Sequence, residues 1–315
     1  MKNKTNILVT GCGGDIGQSI GKILKESSYV QEIYGCDISE KNAAKFIYKN
    51  FFLGLPYTND NYLINLEKVI VQNNIDIVMP VSEPELRYFS RVNILDNIGP
   101  AKMVTASKRA LEIGFDKYET AMFLEKEQLP FPETFNIESV NSVKNFPVVL
   151  KSRTGSGSSN VHIVNDQESF LFIQKNNPDY VIQEYLEGDK GEFTCGVFRS
   201  KQGIIRTIIL KRELMGGFSG YGEVSKDNEI EEILIQIATK LELEGSINVQ
   251  LRVTKKGPVV FEINPRFSST VRFRDLFGFQ DVIWSIEDKL DLPISDYNIV
   301  PSGRKFFKGF NEYIS

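Results

Sequence analysis

The sequence predicts an α/β protein in which a parallel-sheet unit precedes a mixed, mostly antiparallel one. Three observations predict it. Over the first hundred residues strand-like apolar runs alternate with amphipathic helical segments, as in a parallel sheet covered on both faces. A glycine cluster, Gly11-Cys12-Gly13-Gly14, stands between the first strand and the first helix. After residue 180 short strands follow one another and a single long helix interrupts them.

Taken in order, Asn6–Thr10 reads as a buried strand, Asp15–Glu26 as an amphipathic helix and Glu32–Cys36 as a strand ending at Asp37. Asn61–Asn73 reads as a helix, Ile75–Val81 as a strand, Glu83–Leu95 as a helix and Met103–Thr105 as a short last strand. This first unit is placed at residues 1–110. A helix over Asp116–Glu127 then stops at Leu129-Pro130-Phe131-Pro132. Val148–Ser152 and Val161–Val164 read as strands around a glycine-serine loop, followed by a helix over Gln167–Asn176 and a strand over Tyr180–Gln183. Glu192–Phe198, Ile204–Arg212, Ser246–Val253 and Val259–Asn264 read as antiparallel strands, with a helix over Glu229–Leu243. Leu214–Ser225, rich in glycine, reads as a long irregular loop that serves as a mobile lid.

Composition narrows the chemistry. In 315 residues, 41% are hydrophobic and 25% charged, an ordinary globular balance. A net charge of -4 gives no electrostatic reason to expect nucleic acid or an anionic membrane as partner. The apolar runs are strand-sized, too short to span a bilayer, and the first residues read as a strand rather than a signal peptide. Three cysteines without a CxxC pair argue against a disulfide framework or zinc site and place the expected compartment in the cytoplasm. The one histidine, His162, sits in a strand-like alternation and reads as solvent-facing. Chemistry is therefore expected from carboxylates, amides, lysines and arginines.

Four motifs carry that expectation. The turn Thr10-Gly11-Cys12-Gly13-Gly14-Asp15-Ile16-Gly17, with Asp37 twenty residues past Gly17, has the strand–turn–helix context of a dinucleotide site. None of the twelve tyrosines has a lysine four residues later, so the proton-transfer pair of a short-chain reductase is missing. A tight turn without NAD is the favoured reading. The second motif is Lys151 at the end of a buried strand, before Gly155-Ser156-Gly157-Ser158. Backbone N–H groups and hydroxyls of such a hairpin can hold phosphate oxygens while the lysine neutralises them; a plain surface hairpin has the same composition. Third, the backbone of Gln183-Glu184-Tyr185-Leu186 offers an acceptor and a donor for an adenine edge, and Glu192 a carboxylate for ribose hydroxyls; an acidic linker is the alternative. Fourth, Glu262 and Asn264 share one strand face, and a hairpin turning about Lys256 sets Gln250 opposite Glu262 and Asn248 opposite Asn264. Four oxygen-bearing side chains then converge on one face, with Val249, Leu251, Phe261 and Ile263 on the apolar other. Hard oxygen ligands suit magnesium at a nucleotide, and Arg266 just beyond suits a transferring phosphoryl group.

In this order, Asp116-Lys117, Lys151, the glycine-serine loop, Gln183–Leu186, Glu192, Gln250 and Glu262-Ile263-Asn264-Pro265-Arg266 resemble ATP-grasp enzymes, most of all the carbamoyl-phosphate-synthase-like branch, over nearly the whole chain. The resemblance implies a Rossmann-like N-terminal domain (1–110) and a two-subdomain ATP-grasp fold, small (111–184) and large (185–315). It implies that Lys117 and Lys151 contact the ATP phosphates, that Gly155, Ser156, Gly157 and Ser158 cover them, and that Gln183, Glu184, Tyr185 and Leu186 hold adenine and Glu192 ribose. Gln250, Glu262 and Asn264 are implied to hold Mg2+ or Mn2+, with Arg266 and Lys151 serving the phosphoryl transfer. The implied activity is an ADP-forming carboxylate ligase that joins a small-molecule carboxylate to an amine or thiol through an acyl phosphate. A single ATP-grasp unit, no glutaminase and a lengthened stretch from Leu186 to Glu192 depart from complete carbamoyl phosphate synthetases.

An NAD(P)-dependent reductase or epimerase and a non-catalytic ATP-binding protein remain as alternatives, and a homodimer is left open. For the substrates, Arg212, Arg272 and Arg274 are candidates to bind the carboxylate, and Glu83 and Glu85 to bind an amine; acids at a helix start also simply favour its dipole.

Overall fold

The computed structural model describes residues 4–155, 161–187 and 191–314. Its first sheet is formed by β1 (Thr5–Thr10), β2 (Val30–Asp37), β3 (Asn50–Leu53), β4 (Ile77–Pro80), β5 (Asn97–Ile98) and β6 (Ala101–Met103). They lie in the order β3-β2-β1-β4-β6-β5, parallel except for the β5–β6 pair. The helices α1 (Asp15–Lys25), α2 (Ala44–Ile47), α3 (Tyr62–Gln72) and α4 (Glu83–Arg91) connect these strands. The order reverses at β1, so the chain leaves β1 and β4 toward opposite flanks. Between such diverging connections an open parallel sheet leaves a crevice at its carboxyl edge. The glycine turn after β1 and Val81–Ser82 after β4 both face it.

Helices α5 (Lys108–Gly114) and α6 (Lys117–Lys126) follow, then a four-stranded antiparallel sheet in the order β7-β10-β8-β9. Its strands are β7 (Thr134–Asn136), β8 (Val148–Ser152), β9 (Val161–Val164) and β10 (Tyr180–Glu184), with α7 (Gln167–Asn176) packing Phe170 into its core. The third sheet is antiparallel and six-stranded. It consists of β11 (Glu192–Arg199), β12 (Ile205–Met215), β13 (Phe218–Ser225), β14 (Gly245–Thr254), β15 (Gly257–Asn264) and β16 (Lys305–Phe307). Between β13 and β14 runs α8 (Asn228–Lys240), started by Asp227, whose carboxylate accepts from Glu229 and Ile230 N–H. Its buried Ile230, Ile233, Leu234 and Ile237 recur at helical spacing and pack with Leu111, Phe123, Val249 and Ile263 in one core.

After β15 the chain forms α9 (Val271–Leu276) and α10 (Asp281–Lys289). Phe267, Val271, Val282 and Ile286 share a core with Ile7, Val9 and Ile20 of the first sheet. That return brings the end of β15 up against the glycine turn. At the turn itself, Gly17 has Cys12 Cα 2.5 Å from where a Cβ would stand, so only glycine lets α1 start this close to β1.

The expected loop over Leu214–Ser225 is instead the end of β12 and the whole of β13, paired from Ile209↔Ser225 to Met215↔Phe218. Its glycines concentrate at the tip, where Gly216 and Gly217 both take positive φ (59° and 87°) as a tight hairpin requires. Glycine content suggested irregularity; two of these glycines build a turn. The strand read at Met103–Thr105 lies instead at Ala101–Met103. No helix among the described residues is long and apolar enough to cross a membrane.

Candidate active site

One cavity of about 660 Å3 runs from the glycine turn, between the second and third sheets, to the strand β10. It gathers Lys117, Lys151, Gly155, Gln183–Leu186, Glu192, Arg212, Gln250, Glu262, Asn264 and Arg266 from seven stretches of chain. Ser156, Gly157 and Ser158 of the expected phosphate loop lie outside the described residues.

The two lysines are fixed by different means. Asp116 caps α6 by accepting from the N–H groups of Tyr118 and Glu119, and the same carboxylate takes Arg153 Nε at 2.7 Å. Lys117 N–H donates to Arg153 C=O, so the start of α6 is stitched to the strand end that carries the glycine-serine loop. Lys117 Nζ then reaches Gly155 C=O at 2.8 Å and stands 3.9 Å from Glu262. Lys151 lies on β8, 6% exposed, with its ammonium 3.3 Å from Phe261 C=O. Burial pushes it down to about 8, against the pull of Glu262 and with the push of Lys117. A lysine held this way gains most when an anion arrives.

On the opposite wall the register is the expected one at the inner end of the hairpin: Gln250↔Glu262 and Asn248↔Asn264. Nearer the turn it slips, because a bulge between Gln250 and Leu251 pairs Leu251 with Val260. Phe261 is the extra residue. It was expected on the apolar face, but the bulge turns it into the cavity, where its ring lies under Lys151 at 5.6 Å. A bulge has no signature in this hairpin's composition, so the sequence could not reveal it.

Asn248 also departs from expectation. Its Oδ1 accepts from Thr194 Oγ1 at 2.8 Å and from Arg274, so its oxygen faces the protein and not the cavity. Three oxygen donors remain: one carboxylate, Glu262, and the amides Asn264 and Gln250. Among the described residues no group of three His, Cys, Asp or Glu gathers anywhere. One carboxylate and two amides are a weak set alone, suited to a hard cation that keeps waters and phosphate oxygens as its other ligands. In that sense the residues fit magnesium with a nucleotide and do not fit zinc.

Glu192 is held by two arginines, Arg212 at 2.6 Å and Arg252 at 3.1 Å, and Arg212 also donates to Gln250 Oε1 at 2.8 Å. Arg212 is thus the one substrate candidate of the five that lines the cavity. Arg252 was overlooked, although it stands two residues from Gln250 on one strand and so shares its face. It also donates to Leu186 C=O at 3.1 Å. Gln183 is buried, its amide donating to Thr134 Oγ1 at 2.9 Å, and Glu184 N–H is taken by Glu133 C=O. Arg266 donates to Phe267 C=O at 3.0 Å and lies 3.5 Å from Asn264 Oδ1.

Four substrate candidates lie elsewhere. Arg272 pairs with Glu26 at 2.7 Å and Asp275 at 3.0 Å, bridging α9 to α1. Arg274 is fully buried against Asn248 and Asp281. Glu83 is engaged by Arg87 one helical turn on, at 2.8 Å. Glu85 is sealed inside the first unit, accepting from Thr10 at 2.5 Å, from Tyr62 and from Ser82, and burial raises its carboxyl above the usual range. Their charges suggested a ligand, and each already has a partner.

The glycine turn is likewise self-contained. Gly13 N–H donates to Asp37 Oδ2 at 2.8 Å and Ser39 N–H to Oδ1 at 3.1 Å, so the carboxylate that a dinucleotide ribose would need holds its own turn. Gly11, Gly14, Asp15 and Ile16 nevertheless line the cavity, at the end away from β10.

Residues 115–270 match the ATP-grasp domain family. The carbamoyl phosphate synthase large chain of Sulfurisphaera tokodaii is 24% identical over 244 residues, covering 69% of this chain and 23% of that one. The tyramine–L-glutamate ligase of Methanocaldococcus jannaschii is 25% identical over 209 residues, covering 65% of this chain and 60% of the ligase. The chain therefore spans less than two thirds of either relative. Among solved structures, an N5-carboxyaminoimidazole ribonucleotide synthetase in complex with ADP superposes with a TM-score of 0.75 at 16% identity, covering 96% of this chain and 81% of that one.

Proposed function

We propose, from the match of residues 115–270 to the ATP-grasp domain family, that the chain is an ATP- and Mg2+-dependent ligase joining a small carboxylate to an amine, with release of ADP and phosphate. One observation carries this reading: two lysines and Arg266 stand around the same cavity as an oxygen set suited to a hard cation that takes phosphate oxygens as further ligands. In this reading residues 1–110 close one end of the cavity, 111–184 cover the phosphates and 185–315 supply the metal ligands. Adenine lies along Gln183–Leu186 between Ile163 and Phe261, and the ribose meets Glu192.

Lys117 and Lys151 neutralise the outer phosphates, and Arg266 offers its guanidinium to the phosphoryl group in transfer. A substrate carboxylate oxygen attacks the γ-phosphorus, the bond to the bridging oxygen breaks, and ADP leaves. The acyl phosphate then meets an amine nitrogen, which forms the new C–N bond, loses its proton to solvent and expels phosphate. Glu262, Asn264 and Gln250 would hold the Mg2+, whose contribution is to offset charge on the phosphate oxygens. The three buried cysteines take no part: burial raises Cys36 and Cys195 to about 12 and Cys12 further, so none is a ready thiolate.

The assay is ATP turnover across a panel of amino acids and other carboxylates, each with and without amines. ADP and phosphate are the expected products, and hydroxylamine added during turnover should trap the activated carboxylate as a hydroxamate. AMP and pyrophosphate would mean an adenylate and overturn the chemistry.

A simpler measurement separates this reading from a reductase. Mg2+ with an ATP analogue at a hundred times its Kd should stabilise the fold by roughly 2.7 kcal/mol in a thermal-shift experiment. NAD and NADP should leave the midpoint where it was, since Asp37 is already engaged. A shift with NAD alone would reverse the assignment.

A further inference from the structure

Beneath the cavity floor lies a buried arginine–aspartate pair, whose Asp281 also accepts from Ser246 Oγ at 2.7 Å. Arg274 is 0% exposed, and its ion pair to Asp281 is loose, 3.8 Å from Nη1 to Oδ2. Among the described residues its Nε and Nη1, and Oδ1 of Asp281, have no hydrogen-bond partner. Burying two charges on such terms costs free energy that packing alone would recover with an apolar pair. The sheet is shaped to admit it. Gly196, next to Asn248 on β11, leaves the space; a Cβ there would stand 3.0 Å from Arg274 Nη1 and 2.8 Å from the Phe279 ring.

What the arginine does in that place is grip one atom. Its Nη2 donates to Asn248 Oδ1, and Thr194 Oγ1 donates to the same oxygen at 2.8 Å. Arginine has no acceptor, so the amide cannot turn over: the oxygen must face Arg274 and the NH2 must face the other way. That other way is the cavity, which Asn248 lines beside Asn264 while only 1% exposed. Among the described residues nothing pairs with Nδ2 of Asn248. A buried asparagine is thus pinned by its oxygen with its donor end left open, on the strand face that also bears Gln250.

We propose that Asn248 is a fixed hydrogen-bond donor to the γ-phosphoryl group of bound ATP, and that Arg274 and Thr194 are the positioning residues that hold its amide in this sense. It rests on the nucleotide reading of the cavity. In sign it is opposite to a metal ligand: Gln250, Glu262 and Asn264 present oxygen to a cation, and Asn248 presents nitrogen-bound hydrogen to an anion. A donor in the transfer path stabilises charge on the equatorial oxygens at no reorganisation cost, because its orientation is set before ATP arrives.

Asn248→Asp tests this directly, since the carboxylate keeps an acceptor for Thr194 and Arg274 while replacing the donor with a negative oxygen. Binding of Mg2+ with imidodiphosphate-ATP and of Mg2+ with ADP is measured by calorimetry on wild type and variant, with thermal unfolding as a check of the fold. The expected result is a loss of at least about tenfold in affinity for the ATP analogue, and a change below about twofold for ADP. Asn248→Ala should move the same way by a smaller factor, which covers a variant that folds poorly. If both nucleotides bind the variants as they bind wild type, or both weaken equally, the donor role is overturned and the nucleotide reading stands. If Asn248→Asp instead tightens the Mg2+ requirement for the ATP analogue, Asn248 is a metal ligand and the role is overturned again. Wild type that binds neither nucleotide would overturn both readings together.

Discussion

Glu262→Gln should leave the protein folded and reduce ATP turnover by about 10²–10³-fold, the scale felt when one group that offsets transition-state charge is lost. The fold should persist because Glu262 closes no core. Its side chain lies in the cavity, and its ion-pair partner among the described residues, Lys117 at 3.9 Å, is too distant for a strong bond. Turnover should collapse because Glu262 is the only carboxylate in the proposed set. The variant leaves only amide oxygens, those of Asn264, Gln250 and the substituted side chain, and no negative charge within the proposed set. Asn264→Asp should cost far less, since it adds charge at the same radius. The measurement is steady-state ADP release at saturating Mg2+, with the dependence on Mg2+ concentration recorded for each variant. Unchanged turnover in Glu262→Gln would remove the metal assignment, and a recovery at high Mg2+ would locate the defect in binding.

The contrast between Glu262 and the four misplaced candidates shows what the sequence made legible. That Glu262, Asn264 and Gln250 meet at one cavity was legible because a strand repeats every two residues and a hairpin pairs residues about its turn, and those rules are local. The place of Lys151 on the cavity wall was legible for a similar reason, as a charge closing an apolar strand before glycines. Arg272, Arg274, Glu83 and Glu85 do not line the cavity, because charge says nothing about who neutralises it. Their partners are Glu26, Asn248 with Asp281, Arg87, and Thr10 with Tyr62. Apart from Arg87 and Asp281, they come from distant chain. The alternating first sheet was equally legible, whereas β3, α2, β16 and the hairpin ending in β13 were not, being short or glycine-rich. Phe261 is the sharpest case: a single inserted residue reversed the face of one side chain without altering the pattern around it.

Lys151→Met should weaken binding of the Mg2+–ATP analogue by roughly 10- to 100-fold, the worth of about 1.5–3 kcal/mol for a charged hydrogen bond, and should erase a pH dependence that wild type shows. In the free protein the Lys151 ammonium is held at about 8 by burial, below its ordinary 10.5, so above pH 8 it is increasingly neutral. Binding to phosphate requires the charged form, and the phosphate in turn stabilises that charge. The protein must therefore take up a proton as the nucleotide binds in mildly alkaline solution. Affinity should fall by about tenfold for each pH unit above 8 in wild type, one unit being worth about 1.36 kcal/mol. Calorimetry at pH 8.5 in two buffers of different ionisation enthalpy should report that uptake directly. The unliganded fold responds with the opposite sign. Between about 8 and 10.5 the unfolded chain holds the proton that the native state has lost, so native stability rises with pH across this window. Wild type should thus become more stable and bind nucleotide less well over the same range, and Lys151→Met should do neither. A flat affinity profile in wild type would mean that this lysine does not meet the phosphates.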